Sequence, residues 1–155
     1  MIIKLFPKIL VFILALTFFA GTIKAQAPLA TDMICGKWMA AENNLKVEVY
    51  KENGDYKAKI IWFKTDDDSK PMDGWTDKHN PDKNLRERKI LGMNVVKDLI
   101  YEAKSNSWEH GSIYDAKNGR YWDASACLTK DGTLKVTGYW HFKFIGRTMT
   151  FKKVS

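Results

Sequence analysis

Few residues of this 155-residue chain are of a type and spacing that could do chemistry, and most fail on spacing. His79, His110 and His141 stand in three separate segments. They lack the i, i+4 spacing and the Cys-x-x-Cys pairs that bring metal ligands onto one face. Asp66-Asp67-Asp68 has neither the alternation nor the glycine of a calcium loop and reads as a solvated acidic tip. No metal or other cofactor is therefore assigned. Glu109-His110 and Asp115 come nearest to an acid–base set, but an acid beside a histidine is common by chance, and no Gly-x-Ser-x-Gly nucleophile elbow is present. No catalytic residue is assigned, and an enzyme ranks third among the readings.

Two sets of residues point to binding instead. Asn80, Asp82, Arg86, Arg88, Tyr114 and Asp115 form a polar set in which Arg86 and Arg88 could hold a carboxylate or phosphate through paired N–H donors. The alternative, which we favour, is a structural network in which Asp82 or Asp115 pairs with an arginine and pins a long loop. Val49, Ile60, Trp62, Trp122, Val136 and Trp140 form an apolar set that could line an interior. Such residues serve equally as ordinary core, since aromatic side chains dominate cores as well as sites. His141 alternates with Trp140 and Phe142 and falls on the surface or on a pocket rim.

The elements that must position these residues alternate with period two. Leu45, Val47 and Val49 alternate with Lys46 and Glu48, Asn53-Gly54 supplies a tight turn, and Tyr56, Ala58, Ile60 and Trp62 return against Lys57 and Lys59. Strands are likewise predicted over Trp108–Asp115, from Tyr121 to Thr129, from Leu134 to Trp140 and over Thr148–Val154, with turns at Asn118-Gly119 and Asp131-Gly132. Short strands near Cys35–Ala40 and within Leu91–Tyr101 bring the number to about eight. The expected fold class is all-β: an antiparallel, up-and-down eight-stranded barrel, because closure removes exposed edges. Alternation breaks between Phe63 and Leu91, giving one long loop or short helix around 64–90, with Asn80 or Asp82 as a helix cap. Loops of that length are often functional.

The first 25 residues read as a signal peptide. Lys4 and Lys8 precede a twelve-residue apolar run, Ile9–Ala20, and small or neutral residues lead to Ala25. The run is shorter than the roughly 20 apolar residues of a membrane-spanning helix. The expectation is a soluble, exported protein, periplasmic or extracellular, with one domain over 26–155 and no transmembrane segment after cleavage. Of 25 basic residues, Lys4, Lys8 and Lys24 go with the leader, leaving 22 against 18 acidic ones and a net charge of +4. That is not the clustered basic stripe of a nucleic-acid binder. In an oxidising compartment Cys35 and Cys127 would be expected to form a disulfide closing about ninety residues, worth about 4–5 kcal/mol. The alternative is two free thiols: both cysteines take the outward phase if Trp38 and Trp122 point inward, and they could meet only between neighbouring strands or where one end folds across.

The ordered series Gly36-Lys37-Trp38, Val47-Glu48-Val49-Tyr50, Gly54-Asp55-Tyr56, Lys59-Ile60, Asn80-Pro81-Asp82, Leu85-Arg86-Glu87-Arg88, Leu91-Gly92-Met93, Gly111-Ser112-Ile113-Tyr114-Asp115, Leu134-Lys135-Val136, Gly138-Tyr139 and Ile145-Gly146-Arg147-Thr148 resembles the bacterial domain-of-unknown-function family 2147. The resemblance spans nearly all of 26–155. It departs at Lys89 and Ala116, often proline there, at Thr137, often arginine, and at Phe151, often tryptophan. That family is similar to the calycins, which include the lipocalins. The resemblance implies that Arg147 packs across the indole of Trp38 and closes one barrel end, a structural role for both. It implies no reaction. The function expected is binding of a small, largely apolar or lipid-like ligand inside the barrel. The alternative is a ligand-free structural or protein-interaction module of the cell envelope, whose partner the sequence does not name.

Overall fold

A computed structural model describes residues 30–65, 67 and 69–154; the expected signal peptide lies outside the described residues. Eight antiparallel strands follow one another in order: β1 (Gly36–Ala40), β2 (Leu45–Glu52), β3 (Asp55–Phe63), β4 (Asn94–Glu102), β5 (Ser107–Asp115), β6 (Arg120–Leu128), β7 (Leu134–Trp140) and β8 (Phe142–Val154). Each pairs with the next, and β8 returns to β1, so the sheet closes into a barrel as the alternation predicts. Among the described residues no helix is long and apolar enough to cross a membrane.

The alternation decides which face is inside. Val47 and Val49 of β2, and Tyr56, Ala58 and Ile60 of β3, are buried, while Glu48 and Lys59 between them meet on the outer wall at 2.8 Å. An apolar lumen with a charged outer wall is the inverse of a transmembrane barrel, whose outer band is apolar. At Asn53-Gly54 both residues take positive φ (54° and 93°), the backbone of a tight hairpin turn that an asparagine–glycine pair tolerates.

One barrel end is sealed by the segment before β1. Trp38 donates its indole N–H to the Ile34 carbonyl (2.8 Å), and Trp108 donates to that of Thr31 (3.2 Å). The Tyr56 hydroxyl donates to Asp32 (2.6 Å), which also pairs with Lys51 (3.0 Å). These bonds, Tyr56 first and Lys51 second, hold the Asp32 carboxyl below its ordinary pKa.

Three sequence expectations are corrected here. Cys35 and Cys127 are free thiols. The strand that follows Cys35, β1, has β2 and β8 as neighbours, whereas Cys127 lies on β6 opposite Ser107 and Lys135, so the two share no strand edge. The cation over Trp38 is Lys153, 5.4 Å from the ring and directly opposite it in the β1–β8 register. Arg147 pairs instead with Gly138, further up β8, and is exposed. Trp62 leaves the inward phase: a register shift after Lys46 sets it opposite Lys46, and Phe63, opposite Leu45, packs on the core.

Candidate functional site

The strand directions place the β1–β2 turn, the 64–93 loop, the β5–β6 turn and the β7–β8 turn at the end opposite the seal. The lumen below is apolar and nearly full. It holds a cavity of about 50 Å³ lined by residues such as Val47, Val49, Leu99, Ile113, Val136 and Met149. An apolar cavity of about 150 Å³ admits benzene, and ligand pockets commonly run to about 300–1,000 Å³. Of the apolar candidates, Val49 and Val136 line this space and Ile60 is core. Trp122, opposite Ile113 in the β5–β6 register, meets Trp140 edge to face with centroids 6.1 Å apart.

Above that pair the apolar surface opens to solvent. Trp140 is 60% exposed, Phe142 58%, Phe144 84% and Ile145 65%. A bulge causes this. Gly138 pairs with Arg147, yet Trp140 pairs with Phe142, so four residues of β8 (143–146) face the single residue Tyr139 of β7. The bulge needs Gly146, where a Cβ would lie 2.7 Å from the Gly138 carbonyl oxygen and 2.9 Å from the Tyr139 Cβ. Lys143 is held against the wall by Glu109 and the Tyr139 ring, and Phe142 and Phe144 stack 5.5 Å apart.

The polar candidates gather on the outer wall around a residue that sequence reasoning passed over. Asp77 is fully buried and accepts three hydrogen bonds of 2.7 Å. They come from the Arg88 guanidinium and the Asn80 amide, both at Oδ2, and from the Tyr114 hydroxyl at Oδ1. The Arg88 carbonyl accepts from the Asp77 backbone N–H (2.9 Å), and Thr76 bridges Lys89, so the loop carries a miniature ladder that sets Asp77 beside Arg88. Arg86 donates through Nε to the Asn80 carbonyl (2.9 Å), and Asp82 caps the 3-10 turn Lys83–Leu85 by accepting from the Asn84 N–H. Burial first, and the bond to Asp77 second, push the Tyr114 phenol up to about 12. Asp115 stands apart and caps its own turn, accepting from the Lys117 N–H and the Asn118 amide. The set thus pins the loop, but through Asp77 rather than Asp82 or Asp115. Among the described residues no three His, Cys, Asp or Glu side chains cluster to hold a metal.

Comparison with known proteins agrees with this architecture. The model of a family described as "Uncharacterized protein conserved in bacteria (DUF2147)" matches residues 36–153. No curated protein matches. Among solved structures the chain is similar to one titled "Protein HP1028 from the human pathogen Helicobacter pylori belongs to the lipocalin family". That similarity has 27% identity and a TM-score of 0.65, over 78% of this chain and 82% of that one.

Proposed function

The chain belongs to the DUF2147 family of uncharacterised bacterial proteins, and from that premise we propose that it is an exported, non-enzymatic module that binds a small, largely apolar ligand at the open end of its barrel. The observation that carries this reading is the apolar rim. Trp140, Phe142 and Ile145 stand exposed where ordinary folding would bury them, at the mouth of a lumen whose wall is apolar. The likeness to a lipocalin-family protein supports a ligand-holding barrel. The cavity of about 50 Å³ sets how the ligand sits: the lumen takes at most the end of a chain, and the remainder lies against Trp122 and Trp140. The polar set is assigned a structural role instead, because Asn80, Arg88 and Tyr114 all bond to the buried Asp77 and so anchor the 64–93 loop.

The same small cavity favours one other reading, a ligand-free barrel whose rim meets a protein partner. Titration with dodecanoate, read by tryptophan fluorescence and by native mass spectrometry, separates the two. A saturable adduct that Trp140→Ala weakens about 10- to 100-fold, the loss expected when one large aromatic contact is removed, supports the ligand reading. No adduct with dodecanoate or with a total lipid extract overturns it.

A further inference from the structure

The β7–β8 hairpin combines exposed apolar side chains at its tip with charged residues of one sign along its own sequence. From Gly132 to the end of the chain there is no aspartate or glutamate; of the five cations there, Lys135, Lys152 and Lys153 lie toward the sealed end, and Lys143 and Arg147 stand near the tip, Lys143 paired with Glu109 of β5. Arg147 borders the bulge, is exposed, and forms no ion pair among the described residues. His141 at the turn holds φ at 60°, and its ring meets the Trp140 ring edge to face, so the tryptophan stands at the very end of the hairpin. The tip is therefore an exposed apolar point of Trp140, Phe142, Phe144 and Ile145, flanked by His141 and by the cation Arg147, with Lys143 held to Glu109.

That combination selects its partner. A second copy meeting the tip across a two-fold axis would set like charges against like, because a symmetric contact brings the same patch together. A single small ligand covers Trp140 and Trp122 but leaves Phe144, which is 84% exposed, in water. A bilayer with anionic headgroups satisfies both halves: aromatic residues favour the interfacial zone, and basic residues are drawn to the negative surface. We propose that the β7–β8 tip docks the protein on a membrane surface carrying anionic phospholipid, inserting Phe144 and Ile145 and pairing Arg147 with headgroup phosphate. The proposal rests on the reading of this rim as the recognition surface, but adds a partner that the ligand reading does not require.

The test uses the whole chain as its host produces it, floated with vesicles of phosphatidylcholine alone or with one quarter phosphatidylglycerol. The expected result is binding to the mixed vesicles with a blue-shifted tryptophan emission, weakened by 0.5 M salt because headgroup attraction is screened. Arg147→Glu should lose about tenfold or more, on the scale of roughly fivefold per surface cation. Phe144→Ser with Ile145→Ser should lose at least as much. Lys135→Glu, on the neighbouring strand β7 and near the sealed end, should change binding less than twofold. All these positions are exposed, and circular dichroism checks that the variants fold. Equal binding to both vesicle types, or full binding by the Phe144/Ile145 variant, overturns the proposal. Dodecanoate binding without vesicle binding overturns the docking alone, whereas vesicle binding without dodecanoate binding overturns only the ligand reading. Self-association through the tip without vesicle binding identifies a second copy as the occupant and also overturns it.

Discussion

Replacing Asp77 with alanine should be the most damaging single polar substitution in the molecule. The carboxylate is fully buried, and all three of its partners are donors: the Arg88 guanidinium, the Asn80 amide and the Tyr114 hydroxyl, each at 2.7 Å. Removing the acceptor leaves a partly buried cation and two polar groups without a partner. Breaking a buried pair in this way costs about 3–5 kcal/mol. With a urea slope of about 2 kcal/mol/M, the midpoint should fall by about 1.5–2.5 M. Asp77→Asn should cost less, about 1.5–3 kcal/mol. Its amide oxygen can face Arg88 and Asn80 while its NH₂ faces Tyr114, whose hydroxyl can turn and accept. Urea unfolding followed by tryptophan fluorescence measures both variants. The linked group gives an independent readout in alkali. Because the folded Tyr114 phenol titrates near 12 and the unfolded one near 10, its contribution is complete below pH 10 and is lost as pH rises through 12. That contribution amounts to about 2–3 kcal/mol, and Tyr114→Phe should make the decline shallower by that share, leaving the part due to other groups such as Tyr139. A loss below about 1 kcal/mol for Asp77→Ala, or strict additivity of Asp77→Ala with Tyr114→Phe, would refute the network as the loop's anchor.

Other consequences follow from close contacts and from the corrected roles. A Cβ at Gly119 would lie 1.9 Å from the His79 carbonyl oxygen, and its φ is 66°, so Gly119→Ala should detach the 64–93 loop; limited proteolysis should cut that loop several times faster than in the parent. Lys153→Met removes the cation over Trp38 and a bond to the Met33 carbonyl and should cost about 0.5–2 kcal/mol, whereas Arg147→Ala should change stability by less than about 0.5 kcal/mol in the same urea assay. Reduction should leave the intact mass unchanged, and thiol titration in denaturant should count both Cys35 and Cys127. In the folded state Cys35 should react slowly, since burial pushes its thiol up. Hydrogen exchange should be fast over 142–146 and slow at Trp38, Trp108 and Leu134.

The barrel was legible because alternation is a property of the strand itself: Val47-Glu48-Val49 and Tyr56-Lys57-Ala58 show their inner face whatever they pair with. Bulges are not visible that way. The shift after Lys46 turns Trp62 outward, and the four-against-one bulge of β8 extends that strand back to Phe142, where the sequence suggested a start near Thr148. Each depends on register between two strands, which one strand's pattern does not encode. Lys153 was hidden for the same reason, since only the β1–β8 pairing sets it opposite Trp38. Asp77 lay in a segment without period, and an isolated aspartate carries no sign of burial. The available signal was a weak ladder, Trp75-Thr76-Asp77 against Arg88-Lys89-Ile90, and it becomes meaningful once Thr76 is known to bridge Lys89.

The two ends of the barrel put their aromatic residues to different use, and the proposed function follows that difference. The sealed end concentrates Ile34, Trp38, Tyr56, Trp108 and Lys153, held by bonds from two indoles and a phenol to the segment before β1. The open end spends its aromatic residues differently. Trp140, Phe142 and Phe144 contribute little burial, and the bulge that presents them is held by Gly146 and by Lys143 on Glu109 rather than by core packing. Apolar area left in water gives up about 25 cal/mol per Å² that folding could have gained. A chain that merely needed a stable barrel would lose nothing by carrying serine or threonine at 142, 144 and 145. Their aromatic and branched character at so exposed a point is what supports the proposed recognition there.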